Sequence, residues 1–75
     1  MKKYKIINTI VFSFIVDNEQ RDILFNGEDQ GYVEATDTTV WYITKDGERY
    51  ESTTTANIID VGLKRMSLEE IENGT

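Results

Sequence analysis

The sequence predicts a mainly β fold: a small antiparallel arrangement of five strands, closed as a barrel or strongly bent as a sheet, with a short C-terminal helix. Three observations carry this expectation. The stretch VWYITKDGERYEST, residues 40–53, reads as a β-hairpin turning at Asp46-Gly47. The run from Tyr4 to Val16 is mostly β-branched or aromatic, the composition of a long strand. Near the C-terminus, Ser67-Leu68-Glu69-Glu70 has the capping-box pattern of a helix start.

The hairpin is the best-specified element. Asp and Gly readily supply the positive φ that both central positions of a type I′ turn require. That turn would place Lys45 opposite Glu48, Ile43 opposite Tyr50 and Trp41 opposite Ser52. Trp41, Ile43 and Tyr50 would then share the core face, and Tyr42, opposite Glu51, would stand exposed.

Taken in order, the chain begins with Tyr4, Ile6, Ile10, Phe12, Phe14 and Val16 on one face of the long first strand, interrupted by Asn8. Ile7, Val11 and Ile15 lie on the other face, so the strand is apolar on both sides. Asp17 to Gln20 forms a turn, and Arg21 to Phe25 a second strand with Ile23 and Phe25 facing one way. Residues 26–31 read as an exposed acidic loop, and Tyr32 to Thr36 as a third strand. After the hairpin, the threonine run 53–55 suits a short helical or 3₁₀ turn. Ile58, Ile59, Val61 and Leu63 supply a last strand broken by Gly62. The closing helix takes Ser67 as N-cap, Met66 and Ile71 as hydrophobic staple and Asn73-Gly74 as its stop.

From Trp41 onward the layout resembles an SH3-like small barrel. Trp41-Tyr42, Asp46-Gly47 and Asn57-Ile58-Ile59 stand where that superfold has its tryptophan-bearing strand, its tight hairpin and its 3₁₀ turn. The likeness covers less than half of the chain and implies architecture alone. An SH3 peptide groove needs an aromatic-rich early loop, and the long first strand replaces it here.

Seventy-five residues make one domain, 1–75, with a marginal core: a chain this short buries only about 60% of its unfolded surface. It has no cysteine and no histidine, which removes disulfides, thiolate metal sites, the usual general base and the thiol nucleophile. Ser13, Ser52 and Ser67 have no base in motif spacing, and Gly27 to Gly31 lacks the lysine of a phosphate loop. An enzyme is not expected, and no cofactor or metal is implied. The lack of cysteine fits a reducing, cytoplasmic setting. Lys2-Lys3-Tyr4-Lys5 and the apolar run behind it imitate a secretion signal. Asn8, Thr9 and Ser13 interrupt that run, however, and Asp17 to Gln20 stands where a cleavage site belongs. The run is also too short to cross a bilayer.

Net charge is −6, with all fourteen acidic residues after position 16. Such a surface repels phosphate, so direct nucleic-acid binding is not expected. Between residues 17 and 37, seven carboxylates face Arg21 alone. The implied profile is a non-catalytic acidic protein-binding module. It would be an inhibitor or adaptor of the kind that phages and mobile elements carry, acting on a partner with a basic, nucleic-acid-handling surface. The candidate contact residues are Asp22, Glu28, Asp29, Tyr32, Glu34, Asp37 and Tyr42. Two other classes fit: a self-assembling protein whose first strand pairs with its copy in a homodimer or higher oligomer, and a small-ligand-binding barrel with a pocket at one mouth.

Overall fold

The computed structural model describes residues 1–27 and 31–71. Its elements are β1 (Lys2–Ile6), β2 (Ile10–Val16), β3 (Glu19–Phe25), β4 (Tyr32–Ala35), β5 (Val40–Ile43), β6 (Arg49–Ser52), α1 (Asn57–Lys64) and β7 (Leu68–Glu70). Five strands form one antiparallel sheet in the order β6-β5-β4-β1-β7, and β2 and β3 form a second sheet of two strands. The large sheet is bent and open, with β6 and β7 at its edges. The mainly β antiparallel class is as the sequence predicts.

The inward face of residues 4–16 also agrees: Tyr4, Ile6, Ile10, Phe12 and Phe14 are all buried. They do not form one strand. The chain leaves the large sheet after Ile6 and enters the small one at Ile10. The Ile7 N–H donates to the Ser67 carbonyl at 2.9 Å, and the Asn8 amide donates to the Met66 carbonyl at 2.6 Å. Asn8 thus marks a crossover. A run of this length in so small a domain cannot stay in one sheet and still bury its apolar face.

The core lies between the two sheets. Phe12, Val33 and Val40 are fully buried, one from the small sheet and two from the large. Phe25 packs against Phe12 and Phe14, with ring centroids 5.7 and 6.1 Å away. Burial of each such side chain stabilises by roughly 1.5–3 kcal/mol. Ser13 joins the layers at one edge. Its carbonyl accepts from the Thr53 N–H at 2.7 Å and the Ser52 hydroxyl at 2.8 Å, while its N–H donates to the Thr54 hydroxyl at 2.9 Å.

The central hairpin exists, but its register differs by one residue from expectation. Tyr42 pairs with Tyr50, Trp41 with Glu51 and Ile43 with Arg49. The Thr44 N–H bonds to the Glu48 carbonyl, which leaves Lys45, Asp46 and Gly47 as a three-residue loop. Gly47 alone in it has positive φ, at 91°, as in a type I turn closed by a glycine bulge. One residue of slip exchanges the faces. Tyr42 therefore turns inward onto Phe25, Tyr50 is 48% exposed, and Trp41 is half-buried on the outer face. The turn with positive φ at both centres is Asp17-Asn18, at 54° and 66°, at the tip of β2–β3.

Two C-terminal expectations are overturned. Residues 58–63, expected as a strand, lie in α1, whose Ile59 and Gly62 are buried. The expected 3₁₀ turn survives as its opening, with the Ile58 and Ile59 N–H groups donating to the Thr55 and Ala56 carbonyls; no side chain caps it. Residues 68–70, expected as helix, form β7 beside β1. The Ser67 N–H is already bound to the Gly62 carbonyl at 2.8 Å, so Ser67 ends a helix and does not begin one. Leu68 then gains burial beside Ile6, and Glu69 meets Lys5 at 2.9 Å. The short helix near the C-terminus is therefore present, one element earlier. Its expected stop at Asn73-Gly74 lies outside the described residues.

Candidate functional site

Past Ser13 the two layers enclose a cleft of about 630 Å³ lined chiefly by Phe14, Val16, Ile23, Phe25, Tyr42 and Tyr50. Strand alternation brings these residues together. Phe14 and Val16 share the inner face of β2, and Ile23 and Phe25 that of β3. Tyr42 and Tyr50 are a cross-strand pair on the inner face of β5 and β6. The Tyr42 ring stacks on Phe25 with centroids 4.3 Å apart and 29° between planes. Tyr50 donates its hydroxyl hydrogen to the Glu48 carboxylate. That hydrogen bond, and then the carboxylate's charge, raise the Tyr50 pKa, so the ring stays a neutral phenol across ordinary pH.

Asp17, Arg49 and Glu51 also line the cleft. Arg49 and Glu51, two apart on β6, border the cleft from the outer face of that strand; the Arg49 guanidinium binds the Glu34 carboxylate and lies 5.2 Å from the Trp41 ring. With Arg49 paired to Glu34, the charge left along the rim of the cleft, from Asp17 and Glu51, is negative.

The other side of the β2–β3 sheet is also apolar. Val11 and Leu24 form a cross-strand pair there, with Ile15 two positions beyond Ser13. Leu24 is 62% and Ile15 58% exposed. Among the described residues no strand pairs with the second edge of β3. An exposed apolar face beside an unpaired strand edge is a surface that associates readily.

The residues singled out from the sequence are dispersed. Asp22 sits on the outer face of β3 and accepts the Ser13 hydroxyl at 2.6 Å. Tyr32 and Glu34 lie on the outer face of the large sheet, Tyr32 beside the Lys3 ammonium at 5.6 Å. Glu34, expected in the exposed acidic face, is only 6% exposed and is held by Arg49. Asp37 lines a separate cavity of about 610 Å³ with Tyr4, Asn57 and Asp60. Tyr42 is in the cleft, on the inner face and not the exposed one. Glu28 and Asp29 lie outside the described residues.

Sequence reasoning missed Phe14, Val16, Ile23 and Tyr50 as cleft residues. A three-residue reading of Lys45-Asp46-Gly47 would have set Tyr42 opposite Tyr50 and exposed the pair. Among the described residues no group of three or more acidic side chains is placed to hold a metal ion, and no helix is long and apolar enough to cross a membrane. The chain matches no family model, no curated protein and no solved structure.

Proposed function

We propose that the chain is a non-catalytic, cytoplasmic protein-binding module, an inhibitor or adaptor of the kind phages and mobile elements carry. It docks through the β2–β3 hairpin and the cleft beneath it onto a protein with a basic, nucleic-acid-handling surface. One observation carries this reading. Val11, Ile15, Ile23, Leu24 and Tyr50, half of the large exposed apolar residues among those described, gather around this hairpin in a chain of net charge −6. Apolar side chains supply affinity on docking, and the surrounding carboxylates steer encounter and exclude partners of like charge. The SH3-like description belongs to the proposal at the level of architecture. Its support is the order of β5, a tight loop, β6 and a helical turn.

The test compares capture by the wild-type chain, by an Ile15→Lys/Leu24→Lys variant and by a control variant, Thr38→Lys, on a distant turn. A partner identified with the wild type, then purified, should bind the control equally and the hairpin variant at least tenfold more weakly. Its association rate should fall as salt rises. Equal binding to all three proteins would refute the docking surface.

The unpaired edge of β3 also favours a second reading, in which the hairpin pairs with its copy. Sedimentation of the purified chain separates the two. A monomer up to millimolar concentration removes self-assembly, whereas a dimer abolished by Leu24→Lys establishes it.

A further inference from the structure

We propose that the cleft receives the side chain of a lysine or arginine from the basic segment of such a partner. This rests on the docking reading above and specifies the chemistry of one contact within it.

The walls suit a cation. Phe14, Phe25, Tyr42 and Tyr50 present four aromatic rings to one cavity. Two of them are held in place before any ligand arrives: Tyr42 by stacking on Phe25, and Tyr50 by its bond to Glu48. Aromatic faces attract ammonium and guanidinium groups, most strongly where water is partly excluded. Val16 and Ile23 supply the aliphatic surface against which a long cationic side chain lays its methylene stem.

The charge balance selects the same ligand. Asp17 and Glu51 line the cavity, and Glu48 stands at the Tyr50 hydroxyl. Arg49 borders the cavity too, from the same face of β6 as Glu51, but its guanidinium is already bound to the Glu34 carboxylate. An anionic ligand would be repelled, and an uncharged apolar one would desolvate carboxylates without return. A cavity of about 630 Å³ also holds a whole side chain with part of its backbone, within the roughly 300–1,000 Å³ of ordinary binding sites.

Short blocked peptides test the cleft without the partner. Acetyl-Gly-Lys-Gly-amide and its arginine analogue are titrated against the isotopically labelled chain by NMR. The norleucine peptide, which keeps lysine's four-carbon stem without the ammonium, is the control. Lysine and arginine should shift resonances of Val16, Ile23, Tyr42 and Tyr50, with norleucine bound at least about tenfold more weakly. Tyr50→Ala and Asp17→Asn/Glu51→Gln alter exposed positions, so the fold should persist, checked by unchanged resonances of β1 and β4. Each variant should weaken lysine binding severalfold. Equal binding of lysine and norleucine, or no shift at the cleft with either cationic peptide, overturns the inference. If the peptides fail but the purified partner still loses affinity for the Ile15→Lys/Leu24→Lys variant, the module reading stands and this contact falls. If the peptides bind but the partner is indifferent to the hairpin variant, the cation site stands and the docking surface falls.

Discussion

Met66 occupies a backbone position that usually belongs to glycine. Its φ is 58°, and around it the Ser67 N–H reaches the Gly62 carbonyl at 2.8 Å while its own N–H reaches Leu63 at 3.2 Å. This is the Schellman pattern at the end of α1, with methionine at the left-handed residue. The side chain is mostly exposed, so packing returns little for the strain. Met66→Gly should raise stability by about 0.5–1 kcal/mol after the extra chain entropy of glycine is subtracted, a rise in Tm of a few degrees in a thermal melt. Gly62 shows the opposite balance. In an exposed helix Gly→Ala stabilises by about 1 kcal/mol, but a Cβ here would come within 2.6 Å of the buried Leu68 side chain. Overpacking costs roughly 1–3 kcal/mol, so Gly62→Ala should lower the denaturation midpoint, and the same change made in a Leu68→Ala background should cost less.

Among the elements, the two hairpins divide the turn chemistry between them. In the β5–β6 loop only Gly47 needs the left-handed region, and a Cβ there would meet no atom within 4 Å. The cost of Gly47→Ala is therefore conformational alone, roughly 1–2 kcal/mol by equilibrium unfolding. Asp46→Ala should stay within about 0.5 kcal/mol, the ordinary range for a surface change. Comparable losses at both positions would restore the two-residue turn and, with it, the other hairpin facing. At Asp17-Asn18 both residues are left-handed, and Asp and Asn tolerate this better than other non-glycine residues. That tolerance is readable from the sequence, although Asp46-Gly47 is the more conspicuous local signal for a type I′ turn.

Across the whole molecule, stability rests on one thin core between a five-stranded and a two-stranded layer. Phe12 is fully buried at its centre, and Phe12→Ala should cost roughly 3–5 kcal/mol. That matches the total a core of this size supplies, so the variant should lose its native circular dichroism at room temperature. Tyr4 makes the fold sensitive to alkali. Burial, and then the charges of Glu70 and Asp60 against the opposing Lys2, raise its phenol above the ordinary 10.0. The folded state thus favours the neutral phenol. Its contribution is full below the unfolded pKa of about 10 and is lost as pH rises through the higher folded value. Urea midpoints should fall as pH rises above about 10, and Tyr4→Phe should flatten that fall. An equally steep fall in Tyr4→Phe would place the sensitivity elsewhere.

The β class and the inward face of residues 4–16 were legible in the chain. Alternation survives the crossover because Ile6 and Ile10 are an even number of residues apart, so parity is kept across two sheets. The break itself depends on bonds from Ile7 and Asn8 to residues 66 and 67, which no local pattern contains. Residues 58–63 follow the same logic. β-branched composition favours a strand, yet Ile59 and Gly62, three apart, present one helical face inward, and Gly62 is bare enough to seat Leu68. At Ser67-Leu68-Glu69-Glu70 the local capping rule is satisfied on paper. It loses because a one-turn helix gains about 1 kcal/mol from its cap, whereas Leu68 beside Ile6 gains core burial and a backbone ladder. The cleft is non-local in the same way: its walls come from two hairpins distant in the chain, and one residue of register in the second put Tyr42 and Tyr50 inside it. Pattern along a chain specifies which faces are apolar; which apolar face meets which is settled by competition among buried contacts that only the folded chain can make.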